Sequence, residues 1–139
     1  MIINCPFCNI DNDARVLMDG EKIFVILSNP RLVPGHTLVI PKRHVEKIGE
    51  LTPSERKELF DAAIKFQKRI ISKFAGCDMR QNYRPFATHS DIKVDHVHIH
   101  LLPRKPDDVL KEVLKHEKKM WSALVPSERE KFKKLFTKK

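Results

Sequence analysis

The sequence predicts an α+β chain, and three observations carry that prediction. Two short apolar runs flank an Asp-Gly pair, one long segment has helical periodicity behind a capping box, and one stretch alternates histidine with aliphatic residues. Residues 15–18 and 22–27 are rich in Val, Ile, Leu and Phe, with Asp19-Gly20 between them. Asp-Gly in that position predicts a hairpin on a type I′ turn, whose two central residues need positive φ. Residues 36–40 form a third strand candidate, entered through Pro34-Gly35 and stopped by Pro41. Residues 28–35, with two prolines, connect it to the second.

Thr52-Pro53-Ser54-Glu55 opens a helix. Thr52 caps it, Pro53 suits the first helical position, and Glu55 completes a capping box. Leu59, Ala63, Phe66, Ile70 and Phe74 follow at spacings of three and four, so they share one face. The helix is expected over about residues 53–75, with Gly76 as its stop. A strand is expected over residues 79–83, a loop over 84–93, and a strand over 94–102 that Pro103 ends. From Asp107 the pattern is helical, with a break at Val125-Pro126. Leu110, Val113, Leu114, Phe132, Leu135 and Phe136 are the residues through which this tail is expected to pack.

The 139 residues make one domain's worth of chain. No run of about 18 apolar residues exists, which excludes a membrane-spanning helix. The N-terminus has no basic segment followed by an apolar run, so no secretory signal is expected and a cytoplasmic location is. Lys and Arg number 27 against 18 Asp and Glu, a net charge of +9. The excess is uneven, at +4 over residues 1–104 and +5 over the much shorter stretch 105–139. Positive charge favours anionic partners such as nucleotides or nucleic acid. Three cysteines cannot all pair within one chain, and Cys5 and Cys8 stand in a C-x-x-C. Without an export signal that spacing points to metal or redox use rather than a disulfide framework. The redox reading lacks the βαβ pattern that usually surrounds it, and Cys77 reads as a small buried hydrophobe.

The most informative stretch is Asp95-His96-Val97-His98-Ile99-His100-Leu101-Leu102. Successive strand side chains point to opposite faces, so His96, His98 and His100 are expected on one face, spaced roughly 7 Å apart, with Val97, Ile99 and Leu101 on the other. Histidine is a poor solvent-facing filler, and clustered neutral imidazoles serve as metal ligands, bases or nucleophiles. On the strand alone, a metal site and nucleophilic chemistry both stay open.

His-Val-His-Ile-His-Leu-Leu is similar to the histidine triad signature, three histidines alternating with apolar residues. Pro34-Gly35-His36-Thr37-Leu38-Val39-Ile40-Pro41-Lys42-Arg43-His44 resembles the second landmark of that family, and Cys5-Pro6-Phe7-Cys8 resembles the N-terminal element of its zinc-containing members. Order and spacing agree over about residues 5–104, which the resemblance makes a histidine triad domain, with 105–139 a basic helical extension packed on it. The resemblance implies an antiparallel sheet of about five strands with packed helices, in a homodimer. It implies hydrolysis or transfer at the α-phosphorus of a nucleotide, with dinucleoside polyphosphates or nucleoside phosphoramidates as substrates. His98 would be the nucleophile that forms a nucleotidyl-imidazole intermediate. His100 would contact the phosphate and assist the leaving group, and His36 would support that pocket. Cys5, Cys8, His44 and His96 would hold a structural zinc, a closed Cys₂His₂ set with no open position for substrate.

The chain departs from the family pattern in the loop before the triad. Where relatives carry a Gly-rich segment ending in Gly-Gln-Ser or Gly-Gln-Thr, this chain has Ile92-Lys93. Lys93 replaces a hydroxyl with a point charge. Asn82 is a further substrate-binding candidate, and Arg84 and His89 are phosphate candidates by charge. The position of the usual ribose-binding Asp or Asn holds Ser28, with Asn29 beside it. Phe24 and Ile26 are candidates for an apolar base pocket. Two rival readings remain beside the nucleotide hydrolase: a zinc-stabilised nucleotide- or RNA-binding module without turnover, motivated by the basic tail, and a metal-dependent phosphoesterase using all three triad histidines as ligands.

Overall fold

The computed structural model describes residues 5–10, 13–87 and 93–138. Two compact units divide the chain, Met1–Asp108 and Val109–Lys139. The first holds five strands: β1 (Val16–Asp19), β2 (Ile23–Leu27), β3 (Thr37–Pro41), β4 (Gly76–Arg80) and β5 (Ile99–Arg104). They form one open sheet in the order β1-β2-β3-β5-β4, with every neighbouring pair antiparallel. A 3₁₀ turn at Ile48–Glu50 leads into helix α1 (Pro53–Ile71).

Alternation sorts the strand residues onto two faces. Ile23, Val25, Val39, Ile99 and Leu101 join Leu59, Ala62, Ala63 and Phe66 of α1 in the main core. Phe24, Ile26, Leu38 and Ile40 face the other way and are covered by Phe7 and Ile10 of the N-terminal segment. The α+β fold and the helix start are as the sequence predicts. The Thr52 hydroxyl accepts from the Glu55 amide at 3.2 Å, and the Glu55 carboxylate accepts from the Thr52 amide at 2.8 Å. Arg43 adds two hydrogen bonds to that carboxylate, and together with the Thr52 amide it holds Glu55 down to about 2.

Several expectations need correction. The first hairpin has no type I′ turn. Gly20 does not have positive φ, and three residues, Gly20 to Lys22, separate the strands. Glycine is favoured there by closeness, since a Cβ would lie 3.0 Å from the Ile23 carbonyl oxygen. Helix α1 ends at Ile71, and Gly76 starts β4 three residues before the strand expected at 79.

The histidine strand is also displaced. Its ladder runs over Ile99–Arg104, not residues 94–102. The β3–β5 ladder ends at Val39 and Ile99 although β3 itself runs on to Pro41, so residues 94–98 lie outside it. That segment is held instead by the Val97 amide, which donates to the Val45 carbonyl at 2.8 Å. Pro103 lies inside β5, paired with Cys77. It is tolerated because β3 begins only at Thr37, opposite Leu101, so no ladder partner on that side asks for its missing N–H. Beside it Gly35, at φ +83°, comes so close that a Cβ would meet the Pro103 ring at 3.1 Å.

The last correction concerns the second unit, where helix α2 (Lys111–Lys118) begins four residues after Asp107 and α3 (Pro126–Thr137) follows the expected break. The Phe132 and Phe136 rings stack at 5.4 Å, Leu110 is buried, and Val113, Leu114, Phe132, Leu135 and Phe136 are exposed. Among the described residues no helix is long and apolar enough to cross a membrane.

Gly35→Ala combines a left-handed backbone with a close approach. It should lower stability by about 1–3 kcal/mol in urea unfolding. An unchanged midpoint would contradict the close contact with Pro103.

Candidate active site and metal-binding group

The sheet face opposite α1 opens into a cavity of about 330 Å³. His36 enters it from the start of β3, and His98 and His100 from the start of β5. Register places His100 between Leu38 on β3 and Arg80 on β4, all on this face. Phe7, from the loop between the two cysteines, packs edge-on against His98 at 5.2 Å and His96 at 5.8 Å.

Hydrogen-bond partners fix the proton on each ring. The Leu32 amide donates to Nδ1 of His36 at 3.1 Å, so the neutral His36 ring carries its proton on Nε2. That proton is donated to Nδ1 of His100 at 2.9 Å, which leaves the His100 proton on Nε2. His98 has the opposite arrangement. Its Nδ1 donates to the His96 carbonyl oxygen at 2.7 Å, so Nε2 holds a lone pair. The rings of His98 and His100 are 4.6 Å apart. One cavity therefore presents a nucleophilic nitrogen beside a ring N–H donor.

Burial keeps these rings neutral. Loss of water is the largest cause in each case, pushing His36 down to about 4 and His100 to about 3, with the Arg80 charge adding to both. Burial also lowers His98, against the opposing effect of its bond to the His96 carbonyl.

His96 leaves the row. Its ring turns away from the cavity and donates from Nε2 to the Pro41 carbonyl oxygen at 2.7 Å. Its free Nδ1 lies 3.1 Å from His44 Nδ1, 3.4 Å from Cys5 Sγ and 3.7 Å from Cys8 Sγ, and Cys8 Sγ is 3.4 Å from His44 Nδ1. All four donor atoms lie within 4.8 Å of one another. A tetrahedral ion with two thiolate and two imidazole ligands has edges of about 3.4 Å between nitrogens and about 3.6 Å between nitrogen and sulfur. The group fits those dimensions and could hold a metal. Burial and the neighbouring Cys8 thiol push the Cys5 thiol up, so binding a cation there would displace protons.

The three histidines assigned to chemistry line one cavity with Ser28, Asn29 and Asn82, and the four assigned ligands meet in one cluster. Ser28 has its hydroxyl donated to the Pro30 carbonyl at 2.8 Å. Lys93 does not line the cavity. It donates to the Ala87 carbonyl and pairs with Asp95 at 3.2 Å. Phe24 and Ile26 are buried under Phe7 and Ile10, so the apolar walls are instead Pro6, Phe7, Leu38, Val94 and Leu102. His89 lies outside the described residues. Sequence reasoning missed Arg15, Arg31 and Arg80, which all line the cavity. For Arg80 the signal is its register with His100, which appears only once β4 starts at Gly76.

A family model for the HIT domain matches residues 9–107. The chain belongs to the HIT domain family. It is 34% identical over 106 residues to "Protein hit" of Bacillus subtilis, which covers 73% of this chain and 71% of that protein. It is 38% identical over 77 residues to the asymmetrical bis(5'-nucleosyl)-tetraphosphatase of Schizosaccharomyces pombe, covering 55% of this chain and 42% of that protein. The crystal structure of a HIT family protein from Bacillus subtilis superposes with a TM-score of 0.63 at 28% identity, over 87% of this chain and 99% of that one. HIT relatives thus include dinucleoside polyphosphate hydrolases, and the five-stranded antiparallel sheet is shared with solved members.

Because His36 and His100 are neutral from burial, their ring C–H resonances should stay at neutral-form positions as pH falls from about 7 to about 5, where an ordinary histidine titrates. The folded values are depressed, so unfolded histidines bind protons first. Stability conferred by this pair is complete above about pH 6.5 and is lost as pH falls towards the folded values. Ordinary titration near 6.5 in a ring-resolved spectrum would contradict the buried neutral pair.

Proposed function

We propose that this HIT domain chain is a nucleotide hydrolase or nucleotidyl transferase acting at the α-phosphorus of dinucleoside polyphosphates or nucleoside phosphoramidates. The observation that carries the reading is the pair of opposite tautomers: a lone pair on His98 Nε2 beside an N–H on His100 Nε2, both set by backbone groups. The tetraphosphatase relative supports the reaction class.

In the first step the His98 Nε2 lone pair attacks the α-phosphorus, and the bond to the leaving group breaks with its electrons going to that group. The ring becomes a nucleotidyl-imidazolium. Its remaining proton, on Nδ1, is already donated to the His96 carbonyl, which offsets the positive charge. His100 donates from Nε2 to a phosphoryl oxygen or to the leaving atom. In the second step water attacks phosphorus, the N–P bond returns its electrons to His98, and one water proton is released. Ser28, Asn29 and Asn82, which line the cavity, would contact the nucleoside.

Cys5, Cys8, His44 and His96 would hold zinc as a closed structural site, and the ion would supply cross-linking rather than substrate chemistry. It would tie the N-terminal segment to the carbonyl that orients His98. The reading includes a cytoplasmic homodimer. Phe60, Ile64 and Ile71 leave an exposed apolar stripe on α1 that a second copy would cover.

His98→Ala should reduce turnover of bis(5'-adenosyl) tetraphosphate by several orders of magnitude, with the fold intact by circular dichroism, because it deletes the nucleophile. His100→Ala should cost about 10²–10³-fold, comparable to losing one stabilising donor. Label from α-labelled substrate should remain on wild type, not on His98→Ala, in mild alkali. Near-normal turnover in His98→Ala refutes the mechanism.

Purified protein should carry about one zinc per chain, and Cys5→Ser should lose metal and melt at a lower temperature, since metal binding is linked to folding. Metal-free protein prepared without chelator, together with a Cys5→Ser variant that melts like wild type, would refute the metal assignment.

A further inference from the structure

None of the described residues lining the cavity is acidic, yet three are arginines. They differ in what already holds them. Arg15 is committed to Asp13, with Nε at 3.0 Å and Nη2 at 2.8 Å from the two carboxylate oxygens. Arg80 is not so held. Asp78 is 4.0 Å away, and that carboxylate bonds Arg104 at 2.7 Å instead. Arg31, exposed on the loop after β2, has no ion pair among the described residues.

Arg80 is also the cavity arginine tied by register to the chemistry. It is the direct cross-strand partner of His100, on the same sheet face. Directly opposed residues have Cβ atoms about 5 Å apart. A guanidinium on that position reaches the region served by the His100 ring, and its charge is felt there, since it helps depress both His100 and His36. β4 and the residues after it bring Arg80 and Asn82 to the cavity, and the loop after β2 brings Ser28, Asn29 and the exposed Arg31, so Arg80 is the arginine carried on a strand paired with the histidines.

Leaving groups differ in what they require. An amine needs a proton as it departs. A phosphate or polyphosphate departs as an anion and needs neutralising charge. Among the histidines the cavity holds neutral rings, so its positive charge resides on guanidinium groups. A guanidinium is permanently charged and matches phosphate oxygens in two-point contact.

We propose that Arg80 forms a subsite for the phosphate next to the α-phosphorus, and that this subsite selects substrates with a phosphate or polyphosphate leaving group over those with an amine. The inference rests on the reading of the cavity as a nucleotidyl-transfer site, and it narrows the substrate class within that reading. Substitution at Arg80 is tolerable to the fold because the side chain is 40% exposed.

The test compares kcat/KM for bis(5'-adenosyl) tetraphosphate and adenosine 5'-phosphoramidate in full-length wild type, Arg80→Gln and Arg80→Lys. Wild type should prefer the tetraphosphate. Arg80→Gln should lower the tetraphosphate value about 10²-fold, as for loss of one charged donor at a transition state, with the phosphoramidate value within about threefold. Arg80→Lys should restore part of the preference. Equal losses on both substrates, no loss on either, or a wild-type preference for the phosphoramidate would overturn the proposal. Calorimetric titration with adenosine 5'-tetraphosphate and AMP separates this from failure of the functional reading. If wild type turns over neither substrate, but binds the tetraphosphate more tightly than AMP and loses that preference in Arg80→Gln, the subsite stands and the hydrolase reading falls. Equal affinities in wild type would remove the subsite.

Discussion

His96 is the residue on which the rest of the site depends, because three of its hydrogen-bonding groups serve different purposes. Nε2 donates to Pro41 and fixes the ring against β3, Nδ1 faces the two cysteines and His44, and the carbonyl accepts from His98. Burial depresses the ring to about 4, so it stays neutral and its lone pair stays available. Moving this residue would disturb the metal-binding group, the β3 contact and the tautomer of the neighbouring histidine together. Residues 94–98 lie outside the sheet ladder, which leaves the His96 carbonyl to the His98 ring. A residue in a regular strand would have its carbonyl engaged by a neighbouring strand rather than by a side chain two residues on.

The same economy of backbone groups runs through the pocket. The Leu32 amide starts a one-way chain through His36 to His100, and the His96 carbonyl orients His98 the other way. No carboxylate takes part in these contacts. Backbone groups neither titrate nor carry net charge, so they fix tautomers without charging the rings. Positive charge in the cavity is left to the arginines.

Much of this was legible in the sequence, for physical reasons. The Thr52–Glu55 capping box and the spacing of Leu59, Ala63 and Phe66 define α1 locally. The C-x-x-C and the histidine alternation are local patterns too, and the cysteines do meet His44 and His96. What was not legible depends on partners distant in sequence. Whether Val97 lies in a strand depends on where β3 and β5 stop pairing, and whether Pro103 can lie in one depends on where β3 starts. Gly20 reads as a turn glycine, yet its place is set by closeness to the Ile23 carbonyl. Arg80 looks like an ordinary surface cation until β4 is registered against β5. Tautomers belong to the same class, since nothing in the sequence says which amide meets His36.

From His98 to Leu102 the even-numbered residues face the cavity and the odd-numbered ones face α1. His98, His100 and Leu102 line the pocket, while Ile99 and Leu101 are sealed in the core. A slip of one residue would exchange the two sets completely, placing imidazoles in oil and aliphatics at the phosphate. Within the correct register, however, the sets act on opposite sides of a sheet and share few contacts. Catalytic preference can then drift through substitutions on one parity while folding stability is governed by the other. A short strand in this arrangement allows specificity to evolve without renegotiating the core.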